Sequence, residues 1–301
     1  MLFRSEQEHE RLTKVKALAV LSSDAMSSSA YATEEIVRVL VLAGTAAISL
    51  TLPVTLAIIA LLTIVATSYM QTIKAYPHGG GSYIVTKDNL GTWPSLLAGA
   101  ALLVDYILTV AVSISAGVAA VTSAIGGGHE YAASLGVFFI TLITIGNLRG
   151  IRESGSIFAA PTYVFVAMAL VMIVLGTMRA ISGDIPPPPG ELPRMEEPME
   201  AISIFLLLRA FASGNAALTG LEAISDGVPA FQPPEWKNAR VTMAWMALIL
   251  GVLFAGISYL AVQFTIIPSE SETVISQLGR VAFGNDTVMY YVFQEIGRAH
   301  V

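Results

Sequence analysis

The sequence predicts an all-α polytopic membrane protein made of inverted repeats of five helices, with helices 1 and 6 broken and the chain stopping inside an eighth span. Three observations predict it. The 301 residues are 54% apolar and 13% charged, against about 25% charged in soluble domains, and the mean hydropathy is +0.70. Seven apolar segments approach the roughly 20 residues that cross a bilayer as a helix: about 15–43, 52–73, 94–124, 132–147, 156–178, 201–227 and 240–267, with an eighth starting near Thr287. The first and sixth carry polar and acidic residues in mid-segment and enter the membrane from opposite sides, the pattern of inverted repeats with a site at two broken helices.

Composition also excludes functions. There is no cysteine, which removes disulfides, thiol redox chemistry and thiolate metal sites. A net charge of −6 argues against nucleic acid as a partner. The opening MLFRSEQEHERLTKVK is too charged for a cleaved signal peptide. Residues 1–14 are read as a tail, and the first span as a retained anchor.

In span 1, residues 21–35 read LSSDAMSSSAYATEE, with Asp24, five serines, Tyr31 and two glutamates. Acidic groups at membrane depth are costly and functional by default, and irregular backbone survives there only where protein or a wet cavity covers it. The stretch is read as a broken helix whose gap faces a cation site. Glu34 and Glu35, in its outer half, either line a vestibule that attracts cations or pair with Arg38 at i,i+4 and i,i+3.

Spans 2 and 3 are joined by YPHGGGSYIVTKDNLG. His78 and Gly79 to Gly81 look like an esterase oxyanion-hole motif, but no G-x-S-x-G elbow accompanies them, and no enzyme is expected. The glycines let this loop pack closely on the bundle as a gate. In span 3, VDYILTVAVSISAG places Asp105, Thr109 and Ser113 on one helical face, because residues four apart are stacked, with Tyr106 beside them. Asp105 reads as functional. Thr109 and Ser113 either line the same path or act as interhelical hydrogen-bond glue. Gly126, Gly127, Gly128 and His129 read as a solvated turn, and the methionines and phenylalanines of spans 5 and 7 as packing or lipid-facing material.

The connection after span 5, ISGDIPPPPGELPRMEEPME, reads as a stiff extended linker. Span 6, FASGNAALTGLEAISDG, puts Ser213, Gly214, Asn215, Thr219, Gly220 and Glu222 in mid-segment. Ala30 to Glu35 and Ala217 to Glu222 share the same five-residue step. Arg209, near the start of span 6, either snorkels or pairs with an acid.

Basic residues fix the orientation. Arg4, Arg11, Lys14 and Lys16, then Lys74 and Lys87, Arg149 and Arg152, and Lys237 and Arg240 all fall on one side, which is therefore cytoplasmic. The opposite 7–8 loop carries Glu270, Glu272 and Asp286. The final EIGRAHV, residues 295–301, matches the translation of a common sequencing adapter and is read as an artefact. The transporter domain is then 15–294, with a first repeat near 15–178 and an incomplete second near 201–294, and this chain alone is expected not to transport.

The paired broken helices, SSDAMSSSAY and YPHGGGSYIVTKDNLG resemble the amino acid–polyamine–organocation (APC, LeuT-type) transporter superfamily. Within it, SSDAxSSxAYATEE, VDYxLTVAVSxSAG and ALTGLEAxSxGVPAF resemble the KimA-type proton-coupled potassium importers, over about Lys16 to Phe293. The resemblance implies an ion pathway with Asp24 and Tyr31 from span 1, Asp105, Tyr106, Thr109 and Ser113 from span 3, and Thr219 and Glu222 from span 6. It also implies a further tyrosine on a later helix, and a cytoplasmic regulatory domain that dimerises the parent protein and binds a cyclic dinucleotide. No cofactor is implied.

The residue chemistry fits a cation. Hydroxyls of Tyr31, Thr109, Ser113 and Thr219, with carbonyls from unwound helix, offer oxygens of modest field strength, as in potassium filters. Three carboxylates, Asp24, Asp105 and Glu222, cannot all stay ionised in one dry cavity, so a proton is expected to travel with the cation, on Glu222 or Asp105. A substrate carboxylate would be repelled by Asp24, which disfavours an amino-acid permease. The alternative is an amino acid or polyamine permease of the same superfamily, and another organic cation stays open.

Overall fold

The computed structural model describes residues 11–125, 131–148, 151–183, 201–269, 272–284 and 287–293. Arg4, Gly126 to His129, Arg149, the Pro-rich linker from residue 184, Glu270, Asp286 and residues 295–301 lie outside the described residues, as does the side chain of Arg152.

Span 1 comprises α1 (Lys14–Leu21) and α2 (Ser23–Leu40). The break is a single residue, Ser22, and the serine-rich stretch beyond it is continuous helix, not the wide gap the sequence predicts. The serines are accommodated because they bond back onto the helix. Ser27 and Ser28 donate to Asp24 O at 2.9 and 2.8 Å, and Ser29 donates to Met26 O at 2.7 Å. Hydroxyls that return to a carbonyl one turn earlier leave the helix intact, with a local bend at most.

Span 2 is α3 (Thr51–Ala75). The connection after it contains a short helix, α4 (Gly81–Leu90), rather than only a loop. Spans 3, 4 and 5 are α5 (Thr92–Ile125), α6 (Ala132–Asn147) and α7 (Ile151–Ser182). Span 6 is broken as predicted: α8 (Ile204–Gly214), a 3₁₀ turn over Asn215–Leu218, an extended Thr219, and α9 (Glu222–Asp226). Span 7 is α10 (Glu235–Gln263), and residues 288–293 begin the eighth.

Among the described residues, five helical stretches are long and apolar enough to cross a membrane; span 1 is divided by its break, and α6 is shorter. The protein is an all-α, multi-pass membrane protein. Helix α10 is its axis. Met243, Met246, Leu250, Leu253, Ile257 and Leu260 are fully buried at alternating steps of three and four residues, which put them on one stripe. That stripe packs with α1, α7 and α9 in one core, while the C-terminal half of α2 packs with α3 and α8 in another. A buried hydroxyl cluster joins three helices: Ser258 lies 2.8 Å from Thr33 and 2.9 Å from Thr55.

Two connections are more ordered than the sequence predicts. The 7–8 loop holds α11 (Val274–Phe283), capped by Thr273. The Glu34 carboxylate also accepts from Val274 N at 2.9 Å while it pairs with Arg38 at 2.6 Å. Pairing with Arg38 holds for both glutamates, with Glu35 at 3.9 Å, and Glu34 is buried rather than lining an open vestibule. At the other end, Leu12 makes a parallel bridge to Phe231, through Leu12 N to Ala230 O (2.7 Å) and Gln232 N to Leu12 O (3.0 Å). Arg11 pairs with Glu235 beside it.

Candidate functional site

The two breaks meet. Asp24 sits in the first turn of α2, where the helix N-terminus favours a negative charge. Its carboxylate lies against Gly220, whose φ is +77°; a Cβ added there would come 2.8 Å from Asp24 Oδ2. Only a residue without a Cβ fits both the left-handed backbone and the close approach.

Ser28 joins the site to span 6. Its Oγ is 2.8 Å from Tyr31 Oη and 2.8 Å from Thr219 Oγ1. Thr219 is presented by the extended residue between the 3₁₀ turn and α9. Ser113, half-buried on α5, interacts with both Asp24 and Tyr31. Its own Oγ makes no well-formed hydrogen bond among the described residues.

A second set of groups lies along α9. Glu222 is 7% exposed, and its Oε1 has no partner among the described residues. Its charged neighbours are Asp105, Asp226 and Asp24. Asp226 Oδ2 accepts from the Tyr106 hydroxyl at 3.0 Å. Its Oδ1 lies against Gly81, where an added Cβ would be 1.7 Å away, at the N-terminal turn of α4. A Cβ on Gly79 would likewise be 2.6 Å from Asp226 O. The close packing expected of the glycine-rich loop is thus observed, against the end of span 6.

The structure therefore brings together Asp24, Tyr31, Ser113 and Thr219 in one group, and Glu222 and Tyr106 in an adjoining one. Asp105 acts on both Asp24 and Glu222, yet its side chain is exposed. The reason is the position of α5, which packs mainly on α4 and α6 and has no buried residue in its membrane-length window. Thr109 is half-buried one turn on and joins none of these hydrogen bonds. Sequence reasoning missed Ser28 and Asp226. Asp226 had a signal, four residues after Glu222 on the same face of a helix. Ser28 had none, being one serine of five.

A family model described as amino acid permease matches residues 12–294. A curated relative, potassium transporter KimA of Bacillus subtilis (strain 168), is 48% identical over 287 residues, 95% of this chain and 47% of the relative. The chain thus spans about half the length of the curated relative it matches. With matched residues running through both broken spans and the helices around them, the chain belongs to the amino acid permease family of the APC superfamily.

Proposed function

We propose that this chain is the ion-handling part of a secondary transporter that takes potassium into the cell together with protons, by alternating access across the cytoplasmic membrane. One observation carries the reading. Asp105 acts on Asp24, and Asp105, Asp226 and Asp24 act on Glu222 around the two breaks, while among the described residues no lysine, arginine or histidine is among the groups acting on Asp24, Glu222 or Asp226. Carboxylates gathered without a basic partner need a cation, a proton or both. A substrate carboxylate would add to the repulsion, which disfavours an amino acid. The relative's description as a potassium transporter supports potassium over an organic cation.

Asp24, Tyr31, Ser113 and Thr219 are assigned to the cation, with Asp105, Tyr106 and Thr109 along the path to it. Glu222 is assigned the proton, because its unpartnered Oε1 is buried while Asp105 is exposed. The N-terminus is assigned to the cytoplasm. The bridge from Leu12 to Phe231 supports this by joining two segments that the basic-residue count puts on the same side. Residues 1–14 form the tail and 15–294 the transporter domain, divided near 178 and 201 into two repeats. The full-length protein is assigned as a homodimer in the bilayer.

The test is growth at low external potassium of a bacterium lacking its own importers, expressing the full-length protein. Wild type should rescue, and Asp24→Asn and Glu222→Gln should not. Stereoselective amino-acid uptake without potassium rescue would replace this reading with a permease for amino acids.

A further inference from the structure

Four contacts of hydrogen-bond length surround Ser28 and Thr219. Ser28 Oγ is 2.8 Å from Asp24 O, from Tyr31 Oη and from Thr219 Oγ1, and Thr219 Oγ1 is 2.9 Å from Ala216 O. Each hydroxyl carries one hydrogen, so the three hydroxyls have three hydrogens for four contacts. The two carbonyls only accept. With both served by these hydroxyls, the Ser28 hydrogen goes to Asp24 O, that of Thr219 to Ala216 O and that of Tyr31 to Ser28. The contact from Ser28 to Thr219 then holds no hydrogen. Ser27 also donates to Asp24 O, at 2.9 Å, so the Ser28 hydrogen is free to turn to Thr219 instead. In both arrangements every hydroxyl hydrogen is used inside the cluster.

We propose that Ser28 is a specificity-determining positioning residue: by taking up the hydroxyl hydrogen of Tyr31, while that of Thr219 serves Ala216 O, it leaves Tyr31 with only lone pairs to offer a substrate. Oxygens that present lone pairs suit a desolvated monovalent cation and oppose an anionic or carboxylate group. Ser28 itself is fully buried and acts through Tyr31. This inference rests on the cation-transport reading above and names what sets its selectivity.

Removing the Ser28 oxygen releases the hydrogen of Tyr31, which then becomes a donor toward the substrate. The experiment measures potassium uptake by the full-length protein with Ser28→Ala, Tyr31→Phe and both together, at matched membrane abundance. Ser28→Cys, near in size with a weak donor and acceptor, carries the test if the alanine variant does not reach the membrane. The expected result is a KM for potassium raised about tenfold, as for loss of one to two hydrogen-bonded ligands, with maximal rate within about twofold. The double variant should be no worse than the worse single one, because the two act as a unit. An unchanged KM, a fall in maximal rate alone, or multiplying effects would each overturn the role of Ser28 while wild-type uptake stands. Absence of potassium uptake by the wild type would overturn the transport reading and this inference together.

Discussion

The Tyr106 hydroxyl donates to Asp226 Oδ2 at 3.0 Å, tying α5 to the last turn of broken span 6. The other Asp226 oxygen is pressed against the first residue of α4. Three connected elements, the 2–3 connection, span 3 and span 6, are thus joined at one carboxylate beside Glu222. Tyr106→Phe removes the hydrogen bond and leaves both Asp226 oxygens unpartnered. A neutral-to-charged hydrogen bond contributes about 1.5–3 kcal/mol. Potassium uptake efficiency of the full-length protein should fall by about tenfold or more, with protein abundance retained. An unchanged uptake rate would remove Tyr106 from the path.

Gly220 separates two causes of failure. Gly220→Ala meets both a left-handed φ of +77° and the Asp24 carboxylate, and strain of this kind costs on the order of 1–3 kcal/mol. Asparagine tolerates the left-handed region but still carries a Cβ. Both Gly220→Ala and Gly220→Asn should abolish uptake. Normal uptake by Gly220→Asn would show that backbone conformation, not proximity to Asp24, demands the glycine.

Gly81→Ala should expel the Asp226 side chain from its seat, because the new Cβ would fall 1.7 Å from Asp226 Oδ1. Truncating the partner makes room. The double variant Gly81→Ala with Asp226→Ala should therefore recover membrane abundance over Gly81→Ala alone. Failure to recover would mean that the positive φ of Gly81 dominates.

Glu34 holds α11 as well as Arg38. Its Oε2 accepts from Val274 N at 2.9 Å, and Glu34 is 5% exposed. Loss of a cap costs about 1 kcal/mol, and the ion pair adds little because the Arg38 side chain is 54% exposed. Glu34→Ala should lower thermal stability of the purified full-length protein more than Glu34→Gln, which keeps an acceptor oxygen. Faster hydrogen exchange at the start of α11 should accompany it. Equal melting of both variants would discard the cap.

The spans, their order and the break in span 6 were legible in the sequence, because membrane length and hydropathy are properties of the chain alone. Asp24, Tyr31, Thr219 and Glu222 were legible too, since polar groups at membrane depth stand out against an apolar background. The width of the break in span 1 was not. Whether a serine run opens a helix or bonds back onto it depends on hydroxyl geometry, and Ser27, Ser28 and Ser29 bond back. Helices α4 and α11 were also hidden, being short and dependent on tertiary partners: Gly81 is seated against Asp226, and Val274 N bonds to Glu34. The sequence by itself determined which polar groups fall within the apolar spans. The tertiary structure alone decided that Ser28 would join Tyr31 to Thr219, 191 residues away from Ser28, and that Asp226 would stand beside Glu222 and Tyr106. Hydrogen bonds are directional and reach about 3 Å, and only the packed bundle brings such distant oxygens that close.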